Sequence, residues 1–292
     1  MPMLNLPEFI SSYPERYRQF KINDLLFVEY HCPIEEMKAG FWTPHNYFMY
    51  VLSGKKKWQS QNQEFTAEAN DAVFIRKGAY LVHQFFEEEF CTLLIFVPDE
   101  FIKHVVQKHK IDCKHEWSTK SVDQVIPLHG NDVLLAYVQS VLSYFPKAVP
   151  PSQPLLEVKF EELIINLLAE PKNRQLACHI QNLCEENKLS IRDVMEANFP
   201  FNMNLNEFAK LSGRSLSTFH RDFKEIYNTT PGKWLTKQRA EYSKYLLEFE
   251  GKTVSQVAFD SGFKSSSHFI RVFRQRFGIT PLQYKKLNQV SA

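Results

Sequence analysis

No run of 18 apolar residues occurs in this chain of 292, and no basic segment leading into an apolar one opens it. Neither a membrane span nor a secretion signal is supported, and a cytoplasmic protein is expected. Cysteine is scarce: Cys32, Cys91, Cys113, Cys178 and Cys184 are odd in number and lack Cys-x-x-Cys spacing, which points to structural thiols and not to a disulfide framework. Metal ligands are thin as well. Several imidazoles and a carboxylate must converge to hold a catalytic ion, yet His45 has no second His two residues on and Glu64 sits in a polar hairpin. His104, His109, Cys113 and His115 lie closer together, but in a Lys-rich, mainly helical stretch that reads as a solvated face. No metal, cofactor or catalytic residue is therefore expected. Lys55-Lys56-Lys57 reads as a charged hairpin edge.

What is present begins with a division of charge. The net charge is only +2, but residues 191–292 hold 16 Lys plus Arg against 9 Asp plus Glu, leaving 19 against 24 for the first 190. The basic part is the one suited to phosphates, and the acidic part should not touch nucleic acid. Length suggests two domains, and 44% hydrophobic residues suffice for their cores.

Residues 1 to about 100 carry short apolar or aromatic runs bounded by turn residues: Leu25–Tyr30, Tyr47–Leu52, Ala72–Ile75 and Cys91–Val97. Ser53-Gly54-Lys55, Asn70-Asp71 and Lys77-Gly78 supply turns, and the spacing predicts an antiparallel barrel or jelly roll. Tyr47, Met49, Tyr50, Phe74, Tyr80, Phe85, Phe86 and Phe96 are candidates for an apolar ligand wall, with their faces unassigned. From 131 to 145 and from 155 to 168 the period becomes helical. Leu156, Phe160, Leu163, Ile164, Leu167 and Leu168 form a wide stripe that either covers the barrel or pairs two copies of the chain.

Leu205 to Pro281 then says nearly the same thing twice. Phe219, Arg221, Phe223, Tyr227, Thr230 and Pro231 recur as Phe269, Arg271, Phe273, Phe277, Thr280 and Pro281; Ala209 and Gly213 recur as Ala258 and Gly262. Each copy is a capped short helix (Asn204-x-x-Glu207, Thr253-x-x-Gln256), a Gly-bearing turn and a second helix. Leu205, Phe208 and Ala209 are expected inside the first copy, as are Phe219, Phe223, Ile226 and Tyr227; Val254, Val257, Ala258, Phe259, Phe269, Val272, Phe273 and Phe277 are expected inside the second. Ser217, His220, Arg221 and Lys224 are left outside in the first, and Ser266, Ser267, His268, Ile270, Arg271 and Arg274 in the second. Two helices across such a turn, the second bearing Arg, His and Ser outward, is the pattern that lays a helix in the DNA major groove. Asn228 stands where the second copy has Gly278, and Asn is the next residue best able to take a left-handed C-cap.

With Arg239-Ala240, Ala258-x-x-x-Gly262-Phe263 and both Thr-Pro endings, residues 190–287 resemble the AraC family of bacterial transcription regulators. His45, Val51-Leu52-Ser53-Gly54, Asn70-Asp71, Lys77-Gly78 and His83 resemble that family's cupin-like sensor domain. Tyr50 to Gly54, Val73 to Tyr80 and Phe160-Glu161-Glu162-Leu163 resemble its branch of type III secretion activators. The resemblance implies an α+β protein: a cupin-like antiparallel β-barrel (1–130), a helical dimerisation segment (131–185) and an all-α double helix-turn-helix (186–292). It further implies a homodimer on double-stranded DNA, contact with RNA polymerase, and control by a small-molecule effector or a regulatory protein. Leu156, Phe160, Leu163 and Leu167 are the dimerisation candidates. The competing reading is a cupin-type enzyme or carrier with a helical interaction tail.

Overall fold

A computed structural model describes residues 3–31, 38–61, 63–85, 89–112, 123–147, 150–185, 190–249 and 252–289. Contacts divide the chain into two compact units, Leu4–Asn187 and Lys188–Ala292, the latter with Met1–Met3.

The first unit runs β1 (Met3–Asn5), α1 (Leu6–Ser11), β2 (Arg18–Ile22), β3 (Leu25–His31), β4 (Lys38–Thr43), β5 (Asn46–Ser53), β6 (Lys55–Gln59), β7 (Glu64–Glu68), β8 (Ala72–Ile75), β9 (Gly78–Gln84) and β10 (Cys91–Val97). There follow α2 (Asp99–Lys108), β11 (Val125–Leu128), α3 (Asp132–Leu142), α4 (Gln153–Ala169) and α5 (Arg174–Glu185). The strands form two sheets, ordered β1-β4-β9-β6-β7 and β11-β8-β5-β10-β3-β2. The N-terminal domain is thus two open antiparallel sheets and not the closed barrel expected. Its turns fall where the sequence placed them, with Gly54 at φ +71 and Asn70 at φ +74. Gly54 is required, because a Cβ there would sit 2.7 Å from the Glu89 carbonyl oxygen.

Strands β5 and β10 read as continuous apolar runs because both faces of the six-stranded sheet are covered. Phe27, Phe48, Tyr50, Phe74, Leu93 and Ile95 face α2–α5, in one core with Ile102, Val105, Tyr137, Phe160 and Leu163. The Phe160 ring meets Phe101 edge-on at 4.7 Å and Phe27 at 6.3 Å. This placement corrects the dimerisation assignment. Leu156, Phe160, Leu163 and Leu167 are 3%, 0%, 0% and 2% exposed, covered by their own chain. Uncovering a buried side chain of this kind costs about 1.5–3 kcal/mol, so freeing all four would cost as much as a whole domain's stability. The outward apolar residues of α3 and α4 are Val133, Leu135, Leu155 and Val158.

The second unit is α6 (Ile191–Asn198), α7 (Leu205–Leu211), α8 (Leu216–Tyr227), α9 (Pro231–Phe249), α10 (Val254–Asp260), α11 (Ser266–Phe277) and α12 (Pro281–Gln289). Both expected capping boxes form, Asn204 with Glu207 and Thr253 with Gln256. The C-caps of α8 and α11 are both left-handed, Asn228 at φ 50 and Gly278 at φ 80. Ile226 and Phe259, expected inside, are instead 46% exposed each. The buried residues of α8 are Phe219 and Phe223, continued by the half-buried Tyr227 at the same four-residue step, and Ile226 falls to one side of them.

Candidate nucleic-acid interface

Aromatic packing sets the two second helices. Phe223 of α8 lies 5.8 Å from Phe219 and 6.0 Å from Trp234 of α9; in α11, Phe273 lies 5.6 Å from both Phe269 and Tyr284. Burying those rings forces the opposite arc outward. Ser217, His220, Arg221 and Lys224 are exposed on α8, and Ser267, His268, Ile270, Arg271 and Arg274 on α11, with Ser266 half-buried at the first position. Each helix begins on a serine cap: Ser215 Oγ accepts from the Thr218 amide at 3.3 Å and Ser265 Oγ from the His268 amide at 3.3 Å. Eight of the ten sequence-assigned residues thus pair off at matching positions of the two motifs: Ser217 with Ser267, His220 with Ile270, Arg221 with Arg271 and Lys224 with Arg274.

The two faces differ in one respect. Arg221 Nε and Nη2 donate to Asp222 Oδ1 at 3.1 and 2.9 Å, while Arg214 Nε donates to Asp222 Oδ2 at 3.1 Å. Arg221 first, and then Arg214, hold the Asp222 carboxyl below the usual range. Among the described residues Arg271 enters no ion pair, and its guanidinium stands clear on α11.

Sequence reasoning saw Arg239 only as part of a motif. In α9 it donates from Nε to the Phe199 carbonyl at 2.8 Å and from Nη2 to the Phe201 carbonyl at 2.7 Å, and burial lowers its guanidinium to about 10. It also stands against the turn of the second motif, since a Cβ on Gly262 would lie 2.8 Å from Arg239 Nε and 2.7 Å from the Pro200 oxygen. Arg276 of α11 is tied to α9 as well, by Nε to Glu241 at 2.8 Å. One helix therefore carries both motifs on fixed bonds, an arrangement suited to presenting two recognition helices together.

Residues 208–287 match the family model of a helix-turn-helix domain, and residues 46–179 match that of the ExsA N-terminal regulatory domain. The chain belongs to the AraC-type transcription regulators. Thermoregulatory protein LcrF of Yersinia pestis is 25% identical over 234 residues, covering 80% of this chain and 86% of its own. The virulence regulon transcriptional activator VirF of Yersinia enterocolitica is 24% identical over 234 residues, with 80% and 86% covered. ExsA of Pseudomonas aeruginosa, a helix-turn-helix transcriptional regulator, is 24% identical with 79% and 82% covered. This AraC-type chain is a sequence-specific DNA-binding regulator controlled through its N-terminal domain. No helix of the described residues is long and apolar enough to cross a membrane.

Within the regulatory domain an apolar cavity lies between the two sheets. Tyr30, Tyr47, Met49 and Leu94 line it from one sheet and Phe41, Trp58 and Val82 from the other, with Leu6, Phe90, Lys56 and Thr92. Of the expected ligand wall, Tyr47 and Met49 are present, whereas Tyr50 and Phe74 face the helices on the far side of the sheet. Phe96 packs against Tyr47 at 5.1 Å, Tyr80 is buried, Phe85 lies beneath the Lys55 ammonium, and Phe86 falls outside the described residues. Lys56, expected on a charged edge, is 3% exposed, with its ammonium 4.6 Å from the Phe90 ring. The alternation within Lys55-Lys56-Lys57 explains this, since neighbouring strand residues point to opposite faces. His45, Glu64 and His83 do not converge: Glu64 pairs with Lys57 at 2.5 Å and His83 Nε2 lies 3.1 Å from Gln59 Oε1. Of the denser group, His109 Nε2 binds Glu161 at 2.7 Å, and Cys113 and His115 fall outside the described residues, as does Cys32.

Proposed function

We propose that this AraC-type regulator is a transcriptional activator, working in the cytoplasm on double-stranded DNA as a homodimer and contacting RNA polymerase. It is not an enzyme in this reading, and α8 and α11 enter successive major-groove segments. The observation that carries the proposal is the matched placement of Arg221 and Arg271 on equivalent exposed positions of two capped helices. The N-terminal unit, 4–187, is the regulatory domain and 188–292 the DNA-binding domain. The helical segment 131–185 belongs to the regulatory core, so pairing of two copies draws on Val133, Leu135, Leu155 and Val158 in place of the buried leucines. The apolar cavity between the sheets is the candidate site for a small effector, with a regulatory protein as the other input to this domain. Such a ligand acts by binding one state of the dimer better than another.

The experiment is recovery of bound DNA fragments by the full-length protein, followed by Arg221→Ala and Arg271→Ala on the recovered site. A bidentate contact to guanine contributes about 1–3 kcal/mol, so each variant should weaken binding about 5- to 150-fold and relax preference at one base position. Arg271→Ala should have the larger effect, because Asp222 already engages Arg221. Uniform weakening on every sequence would mean that both arginines touch only phosphate.

A further inference from the structure

Where β10 begins, three side chains converge that DNA binding does not use. Cys91 and His31 are direct partners across β10 and β3, so they leave the sheet on one face. His31 Nδ1 lies 3.0 Å from Cys91 Sγ and 3.4 Å from Glu89 Oε1. The nitrogen, sulfur and carboxylate oxygen all lie within 4.8 Å of one another. Cys91 is in no disulfide. The backbone beneath Glu89 is held separately, since Ser53 Oγ donates to the Glu89 carbonyl at 2.9 Å and that carbonyl packs on Gly54.

We propose that His31, Glu89 and Cys91 form a binding site for zinc(II). Tetrahedral zinc, with bonds of about 2.3 Å to sulfur and about 2.1 Å to nitrogen and oxygen, sets nitrogen and sulfur about 3.6 Å apart and nitrogen and oxygen about 3.4 Å apart. The second separation already exists, and the first needs an opening of roughly 0.6 Å, within reach of a side-chain rotation. Thiolate and carboxylate together carry two negative charges, matching a dication; the sulfur selects zinc over magnesium or calcium. Binding releases the thiol proton to solvent and leaves the fourth position to water. Glu89 is followed by Phe90, whose ring lines the cavity beside Lys56, so a bound ion fixes the rim of that cavity. Zinc binding itself stands whether or not the cavity takes an effector.

The test uses full-length protein, reduced and stripped of metal, titrated first with cobalt(II) as a spectroscopic probe and then with zinc(II). One equivalent of cobalt should give visible tetrahedral bands and a near-ultraviolet thiolate band, both erased by zinc. Cys91→Ser should abolish the thiolate band. His31→Ala and Glu89→Gln should each weaken zinc binding by more than about tenfold, the least that losing even a supporting partner of a ligand costs. DNA binding without metal should be unchanged in all three, and Glu89→Gln keeps the test valid should another variant fold poorly. Absence of a thiolate band in the parent protein would overturn the proposal. So would a band that survives Cys91→Ser but disappears in Cys178→Ser or Cys184→Ser, or zinc affinity unchanged by Glu89→Gln and His31→Ala.

Discussion

Replacing Arg239 by Met tests how far one side chain of α9 ties the segment before the first motif to the turn of the second. Methionine keeps an unbranched apolar stem but removes the donors to the Phe199 and Phe201 carbonyls. A hydrogen bond to a charged group contributes about 1.5–3 kcal/mol net, so two are lost for about 3–6 kcal/mol. Against this, the burial that lowers the guanidinium to about 10 is relieved, an offset of about 3 kcal/mol. A net loss of about 0–3 kcal/mol follows, centred on about 1.5 kcal/mol, and for a unit of this size each kcal/mol moves the midpoint by about 4–8 °C. Calorimetry of the full-length protein should show the transition of the DNA-binding unit, identified by its rise on adding operator DNA, falling by about 6–12 °C, the shift for the centre of that range. Affinity for a site spanning both motifs should fall with it, and Arg239→Lys should lie between, since one ammonium cannot copy the guanidinium fork. An unchanged midpoint together with unchanged operator affinity would refute this role for Arg239.

Gly262→Ala should cost more than the about 1–2 kcal/mol of placing an L-residue in left-handed backbone, because its Cβ would meet the Pro200 oxygen at 2.7 Å; Gly213→Ala, at φ +65 with open space, should cost only that, and equal losses on thermal unfolding would refute the packing argument. Gly278→Asn should be tolerated within about 1 kcal/mol, since Asn228 holds φ 50 at the matching cap; a large loss would show that the two caps are not equivalent. Burial, and after it the charges of Arg76 and Lys77, hold the His179 imidazole well below 6.5. As pH falls through 6.5 the unfolded chain takes up a proton that the folded one does not, so this stability is present above that pH and lost below it, by up to about 1.4 kcal/mol per unit. Urea midpoints between about pH 7 and 5 should show the slope, and His179→Phe should flatten it; a slope unchanged in that variant would assign it to other groups.

The DNA-binding unit was legible in the sequence because its signals are local. A helix that buries every third or fourth residue announces its own outward face, and Asn204-x-x-Glu207, Thr253-x-x-Gln256, Asn228 and Gly278 mark where helices begin and end within a few residues of chain. The repeat itself paired Arg221 with Arg271. What a buried stripe cannot say is which surface covers it. Leu156, Phe160, Leu163 and Leu167 look the same in sequence against a second copy or against a sheet, and only the packing of α4 on Phe27 and its neighbours decided for the sheet. The continuous apolar strands posed the same problem: period two separates faces, but with both faces buried nothing in β5 marks Tyr47 and Met49 for the cavity and Tyr50 for the helices. Arg239 beside Phe199, and His31 beside Cys91, are meetings of residues 40 and 60 positions apart. Tertiary packing and strand register make such contacts, and no local spacing records them.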